Sequence, residues 1–212
     1  MASDTRTSMV PVQIRRVVTG NNASGAAIVA LDAAPPRTDA FKSIPGLVSR
    51  LIWATTNNAS VPYGGVDPTP AVTNFVPAPG ETRMLVLTFP PDSVFASPGF
   101  DGAAAGAENL RVSPGLAERF EPDGKHTTPT IDYGVVLDGE IWLELENGVE
   151  TCLKPMDVFV QNGTKHAWRN KSDRPATFAV VLIGAAATGQ AQHALFQRPG
   201  LFQRLFGFGK RT

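Results

Sequence analysis

The fold is decided by the stretch HTTPTIDYGVVLDGEIWLELENG, residues 126–148. Apolar residues recur at every second position through residues 141–145, which is typical of a strand with one buried face. The "DG" pair just before that strand favours a tight turn. The stretch therefore predicts two antiparallel strands. It also poses a question, because an acid, Asp132, lies inside the otherwise apolar first strand.

Short strand patterns continue from this stretch to about residue 185. They are interrupted about every ten residues by turn-forming groups such as KPMD, QNGTK and NKSDRP. Regular turns of this kind indicate an antiparallel sandwich or barrel. The sequence predicts an all-β fold.

We expect one domain over residues 1–212, because a β-rich fold of this length forms a single unit. Residues 1–110 are predicted to supply strands and loops that flank the barrel, and residues 111–185 its core. Within these ranges, FASPGFDGAAAGAENLRV is predicted to be a loop. A helical turn is predicted to begin at Ser113, with Pro114 at its first position.

Residues 186–212 form an apolar and basic tail. Its large apolar residues are spaced as in short amphipathic helices, at Leu195, Phe196, Leu201, Phe202, Leu205 and Phe206. We expect the tail to pack on the barrel or on a second subunit. Binding to a membrane surface through its arginines and lysines is the alternative.

Composition excludes several classes of function. The chain is 42% hydrophobic and 18% charged, with a formal net charge of +0, so nothing favours binding to nucleic acid. No apolar run is long enough to span a membrane, and no signal peptide is visible. The single cysteine, Cys152, is expected to be a small buried residue. These features predict a cytoplasmic protein without a nucleotide cofactor.

The parity of the chain places polar residues on common faces. His126, Thr128 and Asp132 share parity on one extended segment, so their side chains are expected to face the same side. His166 and Trp168 share a face on a later strand. Tyr133 has the opposite parity to Asp132, which favours packing on the outside of the sheet.

The two polar segments, HTTPTIDYGVVLDGE and PMDVFVQNGTKHAWRN, resemble the two conserved motifs of cupins. The first cupin motif has two histidines, a glutamate and a closing glycine. Counted back from Gly139, Asp132 falls at the glutamate position and His126 at the first histidine. Thr128 falls where the second histidine is expected.

The second cupin motif is matched by His166 at its histidine and by Asn170 at its closing asparagine. The chain departs from it at Met156, where a glycine is usual, and at Gln161, where a proline is usual. The resemblance covers roughly residues 120–185. It implies a cupin double-stranded β-helix, or jelly-roll barrel, with extra N-terminal strands and a short C-terminal helical tail.

The resemblance also implies a divalent transition metal inside the barrel. His126, Asp132 and His166 would be its ligands, a set that suits Fe, Mn, Ni, Co or Zn. Threonine is a poor substitute for the missing histidine, so a metal-free barrel is the alternative. In either case Asp132 and His166 are candidate catalytic residues, because a carboxyl group inside an apolar barrel tends towards a raised pKa.

Three further residues are candidates for binding a small-molecule substrate. Thr128 and Trp168 would line the pocket, and Arg83 would hold a carboxylate. The alternatives are that Trp168 fills the core and that Arg83 is a solvated strand end.

The function that we expect is a small-molecule cupin enzyme, metal-dependent, with a redox-neutral lyase or isomerase step. An Fe(II)-dependent dioxygenase acting on a phenolic or keto substrate is one alternative, and a non-catalytic binding protein is another. A homodimer is expected, because the apolar tail needs a surface to cover.

Overall fold

The structure, a computed structural model, describes residues 12–186. Within that range the chain forms a series of antiparallel strands and one α-helix. They are β1 (Arg16–Asn21), β2 (Ala27–Ala33), β3 (Arg37–Ala40), β4 (Val48–Thr55), β5 (Thr82–Phe89), α1 (Gly102–Val112), β6 (Thr130–Asp138), β7 (Ile141–Glu144), β8 (Glu150–Leu153), β9 (Val158–Asn162), β10 (Ala167–Arg169) and β11 (Ala176–Gly184). Short 3₁₀ turns occur at Thr69–Ala71, Asp92–Val94, Ala117–Arg119 and Glu146–Gly148.

Two sheets form the barrel. The larger has the strand order β3-β4-β5-β11-β6-β9, and the smaller has the order β10-β7-β8. The strands after β6 pass back and forth between the two sheets, which is the winding of a jelly roll. The predicted all-β jelly-roll fold is thus confirmed.

Side-chain alternation along the strands builds the core between these sheets. On β11, Phe178, Val180 and Leu182 are buried and alternate with more accessible residues. Ile141 and Leu153 contribute from the smaller sheet to the same apolar cluster. The core therefore lies between the inner faces of the two sheets, as the two-residue period of the sequence predicts.

The predicted turn between β6 and β7 depends on Gly139. Its φ is 73°, a conformation that residues with side chains rarely adopt. A Cβ atom there would lie 2.4 Å from the carbonyl oxygen of Pro175. Glycine is thus required both for the turn and for the close approach of the chain beside it.

The N-terminal residues extend the larger sheet and add a separate hairpin. Strands β3, β4 and β5 continue the sheet beyond β11, whereas β1 and β2 pair with each other in a sheet of their own. Arg16 on β1 is buried and donates a hydrogen bond to the carbonyl of Ile52 on β4. This bond ties the hairpin to the barrel.

In the segment predicted as a loop before residue 113, Gly102–Val112 is the helix α1, so the prediction was wrong for that part. The carboxylate of Asp101 accepts hydrogen bonds from the backbone N–H groups of Ala103 and Ala104, which caps the start of α1. Ser113 ends this helix, and its carbonyl also accepts hydrogen bonds from the backbone N–H groups of Leu116 and Ala117. The helical turn predicted to begin at Ser113 is therefore present, and the 3₁₀ segment Ala117–Arg119 follows it. The glycines of this segment indicated a loop, whereas its several alanines favour a helix.

Two other expectations concern accessibility and the tail. Cys152 is half-buried on β8, so it is less enclosed than predicted. None of the helices between residues 12 and 186 has the length and apolar character that crossing a bilayer requires. The predicted amphipathic tail lies outside the described residues, apart from its first one.

Replacing Phe178 with alanine tests the core. The side chain is 1% exposed, and its ring lies 4.8 Å from that of Trp168 and 5.5 Å from that of Phe89, centroid to centroid. Phe178→Ala should lower the free energy of unfolding by about 3–5 kcal/mol in urea titrations. Phe95→Ala, at a ring that is 39% exposed, is the matched control and should cost far less. Equal losses in the two variants would contradict this core.

Candidate functional site

Two histidines meet at one end of the barrel. His126 and His166 form an isolated antiparallel bridge, in which each backbone N–H donates to the carbonyl of the other, at 2.9 and 3.0 Å. Their ring centroids lie 4.3 Å apart, and the side chains are 7% and 3% exposed. Backbone pairing thus places two buried imidazoles in direct contact.

The proton position on His166 follows from its partner. Its Nδ1 atom lies 2.9 Å from the carbonyl oxygen of Thr164. A carbonyl only accepts hydrogen bonds, so Nδ1 carries the proton and Nε2 keeps its lone pair in the neutral ring. Burial lowers the pKa of His166, against the opposing effect of the Thr164 carbonyl, and this favours the neutral form.

His126 is held neutral more strongly. Burial is the largest cause that lowers its pKa to about 3, and the neighbouring His166 adds to the effect. Its Nδ1 atom is buried and has no hydrogen-bond partner within the described part of the chain. The ring of Phe120 packs against the imidazole of His126, with ring centroids 4.5 Å apart.

Asp132 lies on the inner face of β6, as its parity predicts. In the ladders it is opposite Leu182 of β11 on one side and Gln161 of β9 on the other, and it is 7% exposed. Burial raises its pKa to about 6, and a hydrogen bond from Thr130 opposes the shift. The Oδ1 atom is buried and has no hydrogen-bond partner among residues 12–186. The carboxyl group therefore has an unpartnered oxygen inside the barrel.

Thr128, at the second-histidine position of the motif, uses its hydroxyl locally. Its Oγ1 atom lies 2.8 Å from Oγ1 of Thr130, and both residues are 2% exposed. The side chain of Thr130 also acts to lower the pKa of Asp132, against the larger effect of burial. The hydroxyl of Thr128 is therefore occupied by a neighbour on its own segment. Its predicted contact with substrate stays a prediction.

The predicted metal site is not assembled in this arrangement. Among residues 12–186, no group of three or more histidine, cysteine, aspartate or glutamate side chains is placed to hold a metal ion. The two imidazoles contact each other, whereas the carboxyl group of Asp132 has a buried oxygen without a hydrogen-bond partner among the described residues. The three predicted ligands thus do not fit a shared metal ion as they stand.

The predicted substrate-binding residues Trp168 and Arg83 both contact other residues of the protein. Trp168 lies 5.8 Å from His166 between ring centroids, and its other ring contacts are Phe159 and Phe178 of the core. Arg83 is buried, and all three of its guanidinium nitrogens already have partners, including a 2.8 Å ion pair with Glu81. Arg83 is thus neither a solvated strand end nor a free cation.

Asn170, the closing asparagine of the second motif, shapes a turn. It is 1% exposed, and its amide donates to the carbonyls of Phe89 and Arg174. Its Oδ1 atom accepts from the backbone and hydroxyl of Ser172. These bonds fix the chain between β10 and β11.

Sequence reasoning missed the role of Gln161. Its side chain is 4% exposed and bonds Thr164, the residue that also holds His166. The signal was present in VFVQN, where Gln161 shares the buried parity of Phe159. A polar residue at a buried strand position is a candidate for a site by the same argument that identified Asp132.

The outer face of the larger sheet carries an apolar groove of about 340 Å³. It is lined by residues that include Met84, Tyr133, Val158, Val160 and Val181. Tyr133 is 53% exposed there and Val160 59%. Because side chains alternate along β6, this groove lies on the opposite side of the sheet from Asp132.

The chain is similar to several fungal proteins. It is 62% identical over 47 residues to phomopsin biosynthesis cluster protein C′ of Diaporthe leptostromiformis, which is 22% of this chain and 25% of that protein. It is 29% identical over 162 residues to the cupin-domain-containing oxidoreductase srdB of Neurospora crassa, covering 71% of this chain and 76% of that protein. The chain thus matches only about a quarter of the length of the first of these relatives.

Among solved structures, the cupin domain of an XRE family transcriptional regulator from Enterobacter cloacae overlaps half of the chain. The TM-score is 0.31 at 18% identity, covering 50% of this chain and 83% of that one. No protein-family model matches the chain. The strands wind as in a jelly roll, and over 71% of its length the chain is similar to a protein named for its cupin domain, in agreement with the resemblance of its two motifs to those of cupins.

The pH dependence of stability tests the buried carboxyl group. Since the folded-state pKa of Asp132 is about 6 against an ordinary 3.8, the folded protein loses stability as pH rises from about 4 to 6. Asp132→Asn should therefore raise the free energy of unfolding by about 3 kcal/mol at pH 7.5, and change it little at pH 4.

Urea titrations at the two pH values measure this difference. Asp138→Asn is the matched control, because Asp138 ends the same strand with an exposed side chain. It should show no such pH-dependent gain. A gain for Asp132→Asn that is the same at both pH values would contradict the raised pKa.

Proposed function

We propose that the chain is a small-molecule cupin enzyme that catalyses a redox-neutral lyase or isomerase step by proton transfer. The observation that carries this proposal is the Asp132 carboxyl group, buried on the inner face of the barrel with one oxygen unpartnered among the described residues. A buried acid with such an oxygen is costly for folding, since burial penalises its charged form. A role in binding or chemistry gives a reason for its presence.

Asp132 and His166 would divide the proton transfer. A carboxyl group with a pKa of about 6 exchanges its proton readily near neutral pH. The Nε2 lone pair of His166 would accept or share a proton, because Nδ1 is committed to Thr164. The apolar core around Trp168 would exclude water from the reacting groups.

The names of the relatives suggest the kind of substrate. Similar proteins are named for phomopsin and oryzines biosynthesis clusters, and others are named cupin-domain-containing oxidoreductases. Each name describes that protein alone, but together they support an enzyme in general. We propose an intermediate of a small natural product as the substrate.

Solvent-deuterium exchange tests proton transfer whatever product the enzyme forms. In D₂O, the wild-type protein should exchange an acidic C–H of at least one member of a panel of keto and hydroxy acids, followed by NMR. Asp132→Asn and His166→Gln should slow exchange by about 10²–10⁴-fold. Asp138→Asn, on the same strand, should exchange at the wild-type rate. Unchanged exchange in both site variants would refute the proposal.

A metal-dependent oxidoreductase, including an Fe(II) dioxygenase, is the second candidate. It is favoured by the 29% identity to a protein named an oxidoreductase. Fe, Mn, Ni, Co or Zn held by His126, Asp132 and His166 stays a prediction, because the three side chains do not form one cluster in the described part of the chain. Elemental analysis of protein expressed with each metal, beside His126→Ala, together with oxygen-electrode assays, separates this candidate from the first. Ligand binding without turnover would instead indicate a non-catalytic binding protein.

We further propose that the protein is a homodimer and that it is cytoplasmic, with no nucleic-acid partner. The support for a dimer is the apolar outer face of the larger sheet, on which Val158 and Val160 are 76% and 59% exposed. Contiguous exposed apolar side chains typically mark an interaction surface.

Sedimentation tests the dimer. Val160→Lys would place a charge in this interface and should weaken self-association by about thirtyfold or more. Val61→Lys, at a loop residue that is 94% exposed, is the control and should sediment like the wild type. A wild-type protein that sediments as a monomer at high concentration would exclude the dimer.

A further inference from the structure

Gln161 and Thr164 form a closed pair of hydrogen bonds beside the histidines. The Nε2 amide of Gln161 donates to the carbonyl of Thr164 at 3.0 Å, and the Thr164 hydroxyl donates to Oε1 of Gln161 at 2.9 Å. The two bonds fix the orientation of the amide, because a rotated amide would place two acceptors against each other. The side chain of Gln161 thus makes two hydrogen bonds to Thr164.

The carbonyl of Thr164 serves two donors. It accepts from Nε2 of Gln161 at 3.0 Å and from Nδ1 of His166 at 2.9 Å. A carbonyl oxygen has two lone pairs, so these two bonds use both of them. Gln161 therefore holds the Thr164 carbonyl in the orientation in which it also accepts the hydrogen bond from His166.

The turn around Thr164 is tied to the larger sheet through Gln161. It lies between the end of β9 at Asn162 and the start of β10 at Ala167, and Gly163 has a φ of 62°. Gln161 itself is fixed on β9, where it pairs with Asp132 of β6 in the ladder. A rigid strand residue therefore anchors the turn to the sheet that carries Asp132.

We propose that Gln161 is the positioning residue for His166: through the Thr164 carbonyl it keeps the proton on Nδ1 and leaves Nε2 free to meet a substrate. Gln161 touches no reacting atom in this scheme and acts only through Thr164. The use of Nε2 by a substrate rests on the proposed function. The control of the tautomer does not, since it follows from the hydrogen bonds alone.

Nitrogen NMR of the imidazole rings tests the tautomer directly. The chain has three histidines, so the signals are assigned by comparison with His126→Gln and His166→Gln. In the wild type, His166 should show a protonated Nδ1 and an unprotonated Nε2. Gln161→Met keeps the length of the side chain and removes both bonds, and it should shift the tautomer ratio by about fivefold towards Nε2–H, the factor for one neutral hydrogen bond.

Thr164 supplies a second pair of variants in case Gln161→Met does not fold. Thr164→Val removes the hydroxyl that bonds Gln161 but keeps the carbonyl, so it should shift the ratio in the same direction. Thr164→Ser restores the hydroxyl and should return the wild-type ratio. An unchanged ratio in Gln161→Met, or in Thr164→Val where the first variant is unfolded, overturns the proposal.

The same samples separate this inference from the proposed function. Deuterium exchange by Gln161→Met should fall with the loss of the Nδ1–H tautomer. A shifted ratio in a protein whose His166→Gln variant retains full exchange would support the positioning role and reject His166 as a catalytic residue.

Discussion

The reciprocal backbone bridge between His126 and His166 is the interaction on which the site depends. It joins the segment that enters β6 to the segment that enters β10, so it connects the larger sheet to the smaller one at one end of the barrel. Two backbone hydrogen bonds hold the backbones of both histidines together, and their rings pack on each other. The site is therefore a consequence of the jelly-roll winding rather than of a separate binding loop.

The buried ionisable groups act on stability in opposite directions. The raised pKa of Asp132 costs stability as pH rises from about 4 to 6, because the folded state resists ionisation. The lowered pKa of His126, about 3 against 6.5, costs stability as pH falls below about 6.5, because the folded state resists protonation. Within the acidic range the two effects partly cancel. A core with residues such as Phe178 must offset the remaining cost at neutral pH.

The sequence predicted those parts of the structure that depend on local periodicity. Alternation along β6 placed Asp132 inside and Tyr133 outside, and the structure has both arrangements. Where a tertiary partner decides, the pattern was insufficient. The glycines on both sides of Asp101 indicated a loop, although Asp101 caps α1. No spacing rule shows that the Thr128 hydroxyl pairs with Thr130. The role of Gln161 depends on a turn whose direction is not visible in the residues themselves.

The missing second histidine changes the chemistry of the inner face. A histidine at position 128 would add a third imidazole to the buried pair, whereas threonine adds a hydroxyl that bonds the hydroxyl of Thr130. Hydroxyls donate and accept hydrogen bonds without carrying charge, so they suit a chain that shares a proton more than a cluster that holds a cation. The threonine at position 128 thus favours the proposed acid–base site over the predicted metal site.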